Sequence, residues 1–167
     1  MRFSPQPPRR AAARADDSAA GGPAASGPVP ASRARVLFVC YGNACRSQMA
    51  EGFAKAYHAD VIEAESAGVS PLGFVPDETA ASMLERDVSL KGHHSKGMEA
   101  FELRSFDMIV NMSGFPFPNS LSRAVTILDW NVDDPYLGNE RRYRKVRDEV
   151  EKRVAKLAAE FRADGPR

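Results

Sequence analysis

Two cysteines occur in the 167 residues, Cys40 and Cys45, and both fall in one stretch, VLFVCYGNACRSQMAEG, residues 36–52. The apolar run Val36–Cys40 reads as a strand, and Ser47–Tyr57 reads as a helix, so the loop between them opens a helix N-terminus. Such a terminus presents unpaired N–H groups and a partial positive charge, which suits an anion. Gly42 permits a tight turn and Asn43 tolerates left-handed backbone. A loop curled in this way turns successive N–H groups into a cradle for an oxyanion. Arg46 can add a bidentate grip on two oxygens. Cys40 then sits under the bound anion as a nucleophile. The same donors would pull its thiol below the ordinary value of about 8.5. Ser47 can donate a hydrogen bond to the thiolate. Tyr41, Gly42, Asn43, Ala44, Cys45 and Ser47 complete the expected binding loop.

Cleaving a phosphate ester with a thiolate needs a proton for the leaving oxygen, and a carboxylic acid on a facing loop can supply it. The stretch DWNVDDPYLGN (129–139) offers Asp129, Asp133 and Asp134 close together. Pro135 would stiffen that turn.

These loops need elements to hold them. Val61–Gly68, Asp107–Met112 and Ala124–Trp130 read as further strands, which makes four with Val36–Cys40. Asp77–Asp87 reads as a helix with Asp77 as its N-cap, and Met98–Phe106 as a weaker helix. Tyr143, Val146, Val150, Val154, Leu157 and Phe161 recur every three or four residues, the buried stripe of a long last helix. Asp148–Lys152 and Glu149–Arg153 are spaced for i,i+4 pairs on its solvated face. Strands alternating with helices predict an α/β fold. The expected form is a single three-layer domain over 34–163, a four-stranded parallel sheet with helices on both faces, flavodoxin-like or Rossmann-like. Such sheets bind ligands beyond the C-terminal ends of their strands, which is where both polar loops lie. Phe74, in the loop VSPLGFVPD (69–77), is a candidate wall of the pocket mouth.

Composition removes several other classes. Residues 1–33 carry five Arg against two Asp (+3), which leaves 18 basic against 20 acidic residues (−2) for the rest. A domain so close to neutral is a poor nucleic-acid binder. No apolar run is long enough to span a membrane. No Cys or His spacing suits a metal, and the pair His93–His94 reads as ordinary loop histidine. No cofactor is implied. Residues 1–33, rich in Ala, Pro, Gly, Ser and Arg, read as a disordered tail without a secretory h-region. Residues 164–167 read as a flexible end. The pattern leaves the oligomeric state open.

The loop resembles the active-site loop of the low-molecular-weight protein tyrosine phosphatase family, which also includes a set of arsenate reductases. The family pattern Cys-x-Gly-Asn-x-Cys-Arg-Ser is met by Cys40, Gly42, Asn43, Cys45, Arg46 and Ser47. The likeness runs from about Arg35 to Phe161 and takes in SAG (66–68), FDMIVNM (106–112) and DPY (134–136). It implies that Asp134, among the three aspartates, is the general acid and that Tyr136 stacks on an aryl substrate. It thereby implies a cytoplasmic, metal-free phosphatase. Cys40 would attack phosphorus, Arg46 and the loop would hold the oxygens, and water would hydrolyse the phosphocysteine. The partner would be a phosphotyrosine protein or a small aryl phosphate.

Three departures point elsewhere. Gln48 stands where the phosphatases usually have Pro, and both CRSQMAEG and SKG (95–97) look like the arsenate reductase branch. The third strand ends in Met112–Ser113 in place of Met-Asp. Tyr136 is followed by Leu137 in place of a second tyrosine. The alternative is an arsenate reductase that uses Cys40 with an external small thiol, because no cysteine follows Cys45. A third reading is a non-catalytic phosphate-binding protein. Cys45, on the same loop, is expected to trap oxidised Cys40 as a reversible disulfide.

Overall fold

The computed structural model describes residues 32–165. Strands β1 (Ala34–Cys40), β2 (Ile62–Gly68), β3 (Met108–Asn111) and β4 (Thr126–Asp129) form one parallel sheet in the order β2-β1-β3-β4. Ala34–Cys40 pair residue by residue with Ile62–Gly68, and Val36–Val39 pair with Met108–Asn111 on the other edge. Every β1 residue except Arg35 is buried. A central parallel strand covered on both faces reads as an unbroken apolar run, which is why Val36–Cys40 shows no alternation. β1 has β2 on one side and β3 on the other, so the chain leaves it in opposite directions. The crevice beyond Cys40 is therefore the switch point at which such sheets bind ligands.

One face is covered by α1 (Arg46–Tyr57) and α4 (Glu140–Asp164), with α2 (Asp77–Leu84) beside α4. Phe38, Met49, Phe53, Met83, Val146 and Val150 meet in its core. The stripe expected on α4 is buried throughout, from Tyr143 to Phe161. The opposite face, with Leu37, Val39 and Ile109, is covered more thinly. The helix expected over Met98–Phe106 is instead two 3₁₀ turns, Met98–Ala100 and Leu103–Ser105. The four-residue α3 (Asn119–Ser122) joins them. The three layers are thus present but unequal.

Other local expectations shift for physical reasons. Pro76 occupies the cap position of α2, so Asp77 is its first helical residue and adds negative charge to the first turn rather than a side-chain cap. That helix stops at Leu84, and the chain turns through Asp87 at φ 57°. Glu149 does pair with Arg153. Asp148 turns away from Lys152 toward Arg86 and Arg147, and the buried Arg147 also donates to Ser82 O and Glu85. The face of α4 toward α2 is therefore a tertiary ion-pair seam rather than only a solvated surface. The tail expected over 1–33 lies outside the described residues except for Ser32 and Arg33, as do 166–167 of the expected C-terminal end. Among the described residues, no helix is long and apolar enough to cross a membrane, and no group of His, Cys, Asp and Glu is arranged to hold a metal ion.

Candidate active site

The loop after β1 is held from outside by its carbonyls. Cys40 O accepts from Val69 N, Tyr41 O from Ser70 N and Gly42 O from Leu72 N. In a trans peptide the N–H points opposite to the carbonyl, so the amides of Tyr41, Gly42 and Asn43 turn inward. Among the described residues, no N–H from Tyr41 to Ser47 has a protein acceptor. The first residues of α1 continue the ring of donors. This is the cradle expected from the sequence, and Cys40 lies at its floor, 2% exposed.

Gly68 explains how the loop fits. A Cβ there would lie 2.7 Å from Asn43 N and 2.9 Å from Tyr41 O, in contact with backbone that cannot give way. The end of β2 must be glycine for the loop to rest on it. Asn43 adopts φ 44°, the left-handed geometry its position required.

Arg46 is buried and placed by carbonyls. Its Nη1 donates to Met112 O at 2.7 Å and Val132 O at 3.2 Å, and its Nη2 reaches Asp134 Oδ2 at 3.0 Å. Its buried Nε has no protein partner. A guanidinium so clamped offers one edge to an oxyanion, and an orphaned buried N–H is costly unless a ligand accepts from it. Asp134 sits at the mouth, oriented by Arg46 and by Tyr136 N, which donates to its Oδ1. Of the other aspartates, Asp129 accepts from Asn111 at the strand ends and Asp133 is exposed.

Behind the thiol is a closed polar network. Ser47 Oγ lies 2.9 Å from Cys40 Sγ. Asn43 Nδ2 donates to Ser47 Oγ and to Ser66 Oγ, which leaves the Ser47 proton for the sulfur. Ser66 donates to the buried Glu51 carboxylate. Burial works to raise the Glu51 carboxyl, but Lys55, Ser66 and Lys96 outweigh it and hold it below the usual range. Gln48, fully buried, directs the two hydrogens of its Nε2 to His94 O and, shared, to Asn43 O and Asn43 Oδ1, and its Oε1 meets His93 Nδ1 at 2.9 Å. His93 is therefore not ordinary loop histidine.

Cys40, Tyr41, Gly42, Ala44, Cys45, Arg46, Asp134 and Tyr136 line one pocket of about 230 Å³. Asn43 and Ser47 stand behind its wall. The wall residue from the 69–77 loop is Leu72, with Ser70 and Pro71; Phe74 lies instead in a separate groove with Leu84 and His93. Tyr41 stacks on Phe115 at 5.8 Å and 30°, an aromatic pair at the mouth that the one-tyrosine aspartate loop did not suggest. The Cys45 sulfur accepts from Thr79 Oγ1 at 3.3 Å and approaches Tyr143 OH at 3.8 Å. Burial pushes its thiol up to about 11, so it is a packed, protonated thiol in the reduced protein.

Sequence reasoning passed over Gln48's bonds, Glu51, Ser66, His93, Lys96 and Phe115. Ser66, Gly68 and Lys96 lay inside SAG and SKG, where the family likeness was visible without its physical reason.

The chain is similar to proteins of one family. Residues 35–167 match the model of the low molecular weight phosphotyrosine protein phosphatase. The glutaredoxin arsenate reductase of Synechocystis sp. is 34% identical over 130 residues, spanning 76% of this chain and 98% of the relative. Arsenate reductase 1 of Staphylococcus haemolyticus is 33% identical over 121 residues, 71% of this chain and 90% of the relative. A solved structure of an arsenate reductase in the phosphate binding state superposes with TM-score 0.71 at 33% identity, covering 76% and 98% of the two chains. A YwlE arginine phosphatase structure (TM-score 0.69, 24% identity, 78% and 97% covered) shares the fold.

Proposed function

The chain belongs to the low molecular weight phosphotyrosine protein phosphatase family, and from that membership we propose that it is an arsenate reductase that works through Cys40 with an external thiol. The observation that carries the reading is the contact between Gln48 and the 93–97 strap. The two stretches that looked like the arsenate reductase branch, CRSQMAEG and SKG, are one physical unit bonded through Gln48, Asn43 and Lys96. Relatives named arsenate reductases, matched over nine-tenths or more of their length, support it.

Arsenate has the tetrahedral shape and charge of phosphate, so the N–H cradle and Arg46 hold it in the same way. The Cys40 thiolate forms a sulfur–arsenic bond while one arsenate oxygen leaves as water, with a proton from Asp134. An external thiolate then attacks the Cys40 sulfur. The sulfur–arsenic bond breaks, its electron pair stays on arsenic, and arsenite leaves. A second thiol frees Cys40 from the mixed disulfide. In sum, one arsenate and two thiols give arsenite, water and one disulfide. The chain has no cysteine beyond Cys45, so the thiols come from outside; one relative is itself named for glutaredoxin. Free thiols of this kind belong to a reducing, cytoplasmic setting.

Hydrolysis of a phosphotyrosine or aryl phosphate ester is the second reading. It is favoured by Asp134, 3.0 Å from Arg46 at the mouth, with Tyr136 beside it. Arsenite release with glutathione or a glutaredoxin, run beside hydrolysis of phosphotyrosine peptides and p-nitrophenyl phosphate, separates the two. The reductase reading expects thiol-dependent arsenite, lost in Cys40→Ser. Brisk ester hydrolysis with no arsenite from any thiol would overturn it.

A further inference from the structure

Arg46 is held from behind by a residue that does not line the active-site pocket. Arg46 Nη1 donates to Met112 O at 2.7 Å. That carbonyl shares one planar peptide with the N–H of Ser113, and in a trans peptide the two point opposite ways. Ser113 N donates to Asn111 Oδ1 at 3.0 Å. Asn111 thus pins one end of the peptide whose other end grips Arg46. We propose that Asn111, braced by Asp129, is a positioning residue that sets the plane of the Arg46 guanidinium and so the edge it offers an oxyanion.

Every bond that the Asn111 amide can make is made. Its Oδ1 accepts from Ser113 N and from Ser113 Oγ at 2.6 Å, and its Nδ2 donates to Asp129 Oδ1 at 2.8 Å and to Phe115 O at 2.9 Å. The orientation is forced, because Ser113 N only donates and Phe115 O only accepts. The side chain is buried, and a fully satisfied buried network is rigid. The backbone of Asn111 joins the two loops that clamp the arginine. Asn111 O accepts from Trp130 N, two residues before Val132, whose carbonyl also accepts from Arg46 Nη1. Ser113, one of the departures from the phosphatase pattern, donates to Asn111 Oδ1 and accepts from Phe115 N at 3.1 Å. An ionised aspartate only accepts and could not close the turn in this way. Asn111 and Asp129 line a cleft of about 440 Å³ that shares Arg46 with the active-site pocket, and neither lines that pocket itself. Asn111 also holds Phe115, which stacks on Tyr41, so its effect through Arg46 has to be separated from its effect through that wall.

The brace rests on Cys40 as nucleophile and Arg46 as anion-binding group, but not on which oxyanion reacts. The probes are iodoacetate and iodoacetamide, which alkylate the same thiol; only iodoacetate carries a carboxylate that fits the guanidinium fork. The ratio of their rates at Cys40 at pH 7, with Cys45 distinguished by fragment ions, reports on Arg46 and cancels changes in the thiol. In the parent, iodoacetate should react about tenfold faster or more. Asn111→Leu, of similar size, should lower the ratio about fivefold or more. Asn111→Asp should lower it likewise, because its second oxygen meets Phe115 O and the Asp129 carboxylate. Adding Asp129→Asn gives that oxygen a donor and should return the ratio to within about twofold of the parent. In an Arg46→Lys background, Asn111→Leu should change the ratio by less than about twofold, whereas a merely structural role would lower it by the same factor in both backgrounds. A parent-like ratio in Asn111→Leu, an equal loss in both backgrounds, or a double variant no better than Asn111→Asp would overturn the brace. A parent with no preference for iodoacetate would remove Arg46 as the anion-binding group, and the brace with it. Asn111→Asp keeps the shape of the side chain, so it remains informative even if Asn111→Leu fails to fold.

Discussion

Replacing Arg46 with lysine keeps the charge and removes the fork. Two carbonyls, Met112 O and Val132 O, hold Nη1, which sets the guanidinium plane so that Nε and the Nη2 hydrogen not taken by Asp134 form the edge left for a ligand. An oxyanion in the cradle can take two parallel charge-assisted bonds from that edge. Each is worth roughly 1.5–3 kcal/mol. Lysine cannot make both and also satisfy the carbonyls. If its ammonium settles between Met112 O and Val132 O, both oxyanion bonds are lost, about 3–6 kcal/mol. At about 1.4 kcal/mol per tenfold, kcat/KM should fall by about 10²–10⁴. The loss should appear for arsenate with a thiol donor and equally for p-nitrophenyl phosphate, since both use the same edge. Circular dichroism should show a folded protein with its melting point lowered by a few degrees. A folded Arg46→Lys enzyme within tenfold of the parent on both substrates would refute the inference that carbonyl clamping of Nη1 makes the other edge the binding edge.

Asp134→Asn should cost at least 10² on phenyl phosphate, whose leaving group needs a proton. It should cost much less on p-nitrophenyl phosphate, whose leaving group needs no proton, and at least tenfold on arsenate, whose oxygen leaves as water with a proton from the same acid; equal losses on the two esters would remove Asp134 as the acid. Gly68→Ala should weaken inhibition by inorganic phosphate at least tenfold by pushing the backbone of Tyr41–Asn43 off β2; an unchanged inhibition constant would refute that contact. Glu51, Asp148 and Glu85 sit below their usual carboxylate values, Glu85 at about 2 through Arg144 and Arg147. In the acid range the unfolded chain therefore binds more protons, and the stability these groups give is complete above about pH 4.5 and lost as pH falls toward 2. Melting curves should show that loss, and Glu85→Gln should lower the melting point at pH 7 but scarcely at pH 2. If Cys45 traps oxidised Cys40, inactivation by peroxide should be reversed by thiol in the parent and much less in Cys45→Ala; equal recovery in both would remove the trap.

The sheet and α4 were legible because their patterns report burial directly. β1 is buried on both faces and reads as an unbroken run, while α4 is half-buried and reads as a stripe every three or four residues. Met98–Phe106 failed because its apolar residues, Met98, Phe101, Leu103 and Phe106, suit 3₁₀ turns lying on the sheet as well as a helix. Asp148 failed because i,i+4 spacing competes with tertiary partners, and Arg86 and Arg147 come nearer than Lys152. The candidate loop was legible because its donors, thiol and guanidinium are local to eight residues. What supports the loop was not. Gln48 and His93 lie 45 positions apart, and Gly68 meets Asn43 across 25, so only the fold makes them neighbours. Phe74 was misplaced for the same reason: the loop from 69 to 77 turns Leu72, two residues earlier, into the pocket.

Ester hydrolysis and arsenate reduction share the first half of the reaction and part at the second attack. In hydrolysis, water attacks phosphorus from the open mouth, where Asp134 can take its proton. In reduction, a thiolate must attack the Cys40 sulfur, on the floor and 2% exposed. Within about 230 Å³ that thiolate shares the pocket with the arsenic-bound oxygens. The two chemistries thus ask different things of one loop: hydrolysis needs the acid at the mouth, and reduction needs a path to the floor. The mouth is bordered by Tyr41, which stacks on Phe115 of the loop after β3, and by Tyr136, with Leu137 next in sequence almost fully exposed and held at φ 62°. A large exposed apolar side chain on strained backbone gains little from the isolated chain. Substitutions at Phe115 and Leu137 should therefore change the rate with the thiol donor more than the rate with p-nitrophenyl phosphate, because the donor must reach the buried sulfur itself past the bound arsenic, whereas the ester needs only its phosphorus above the thiolate.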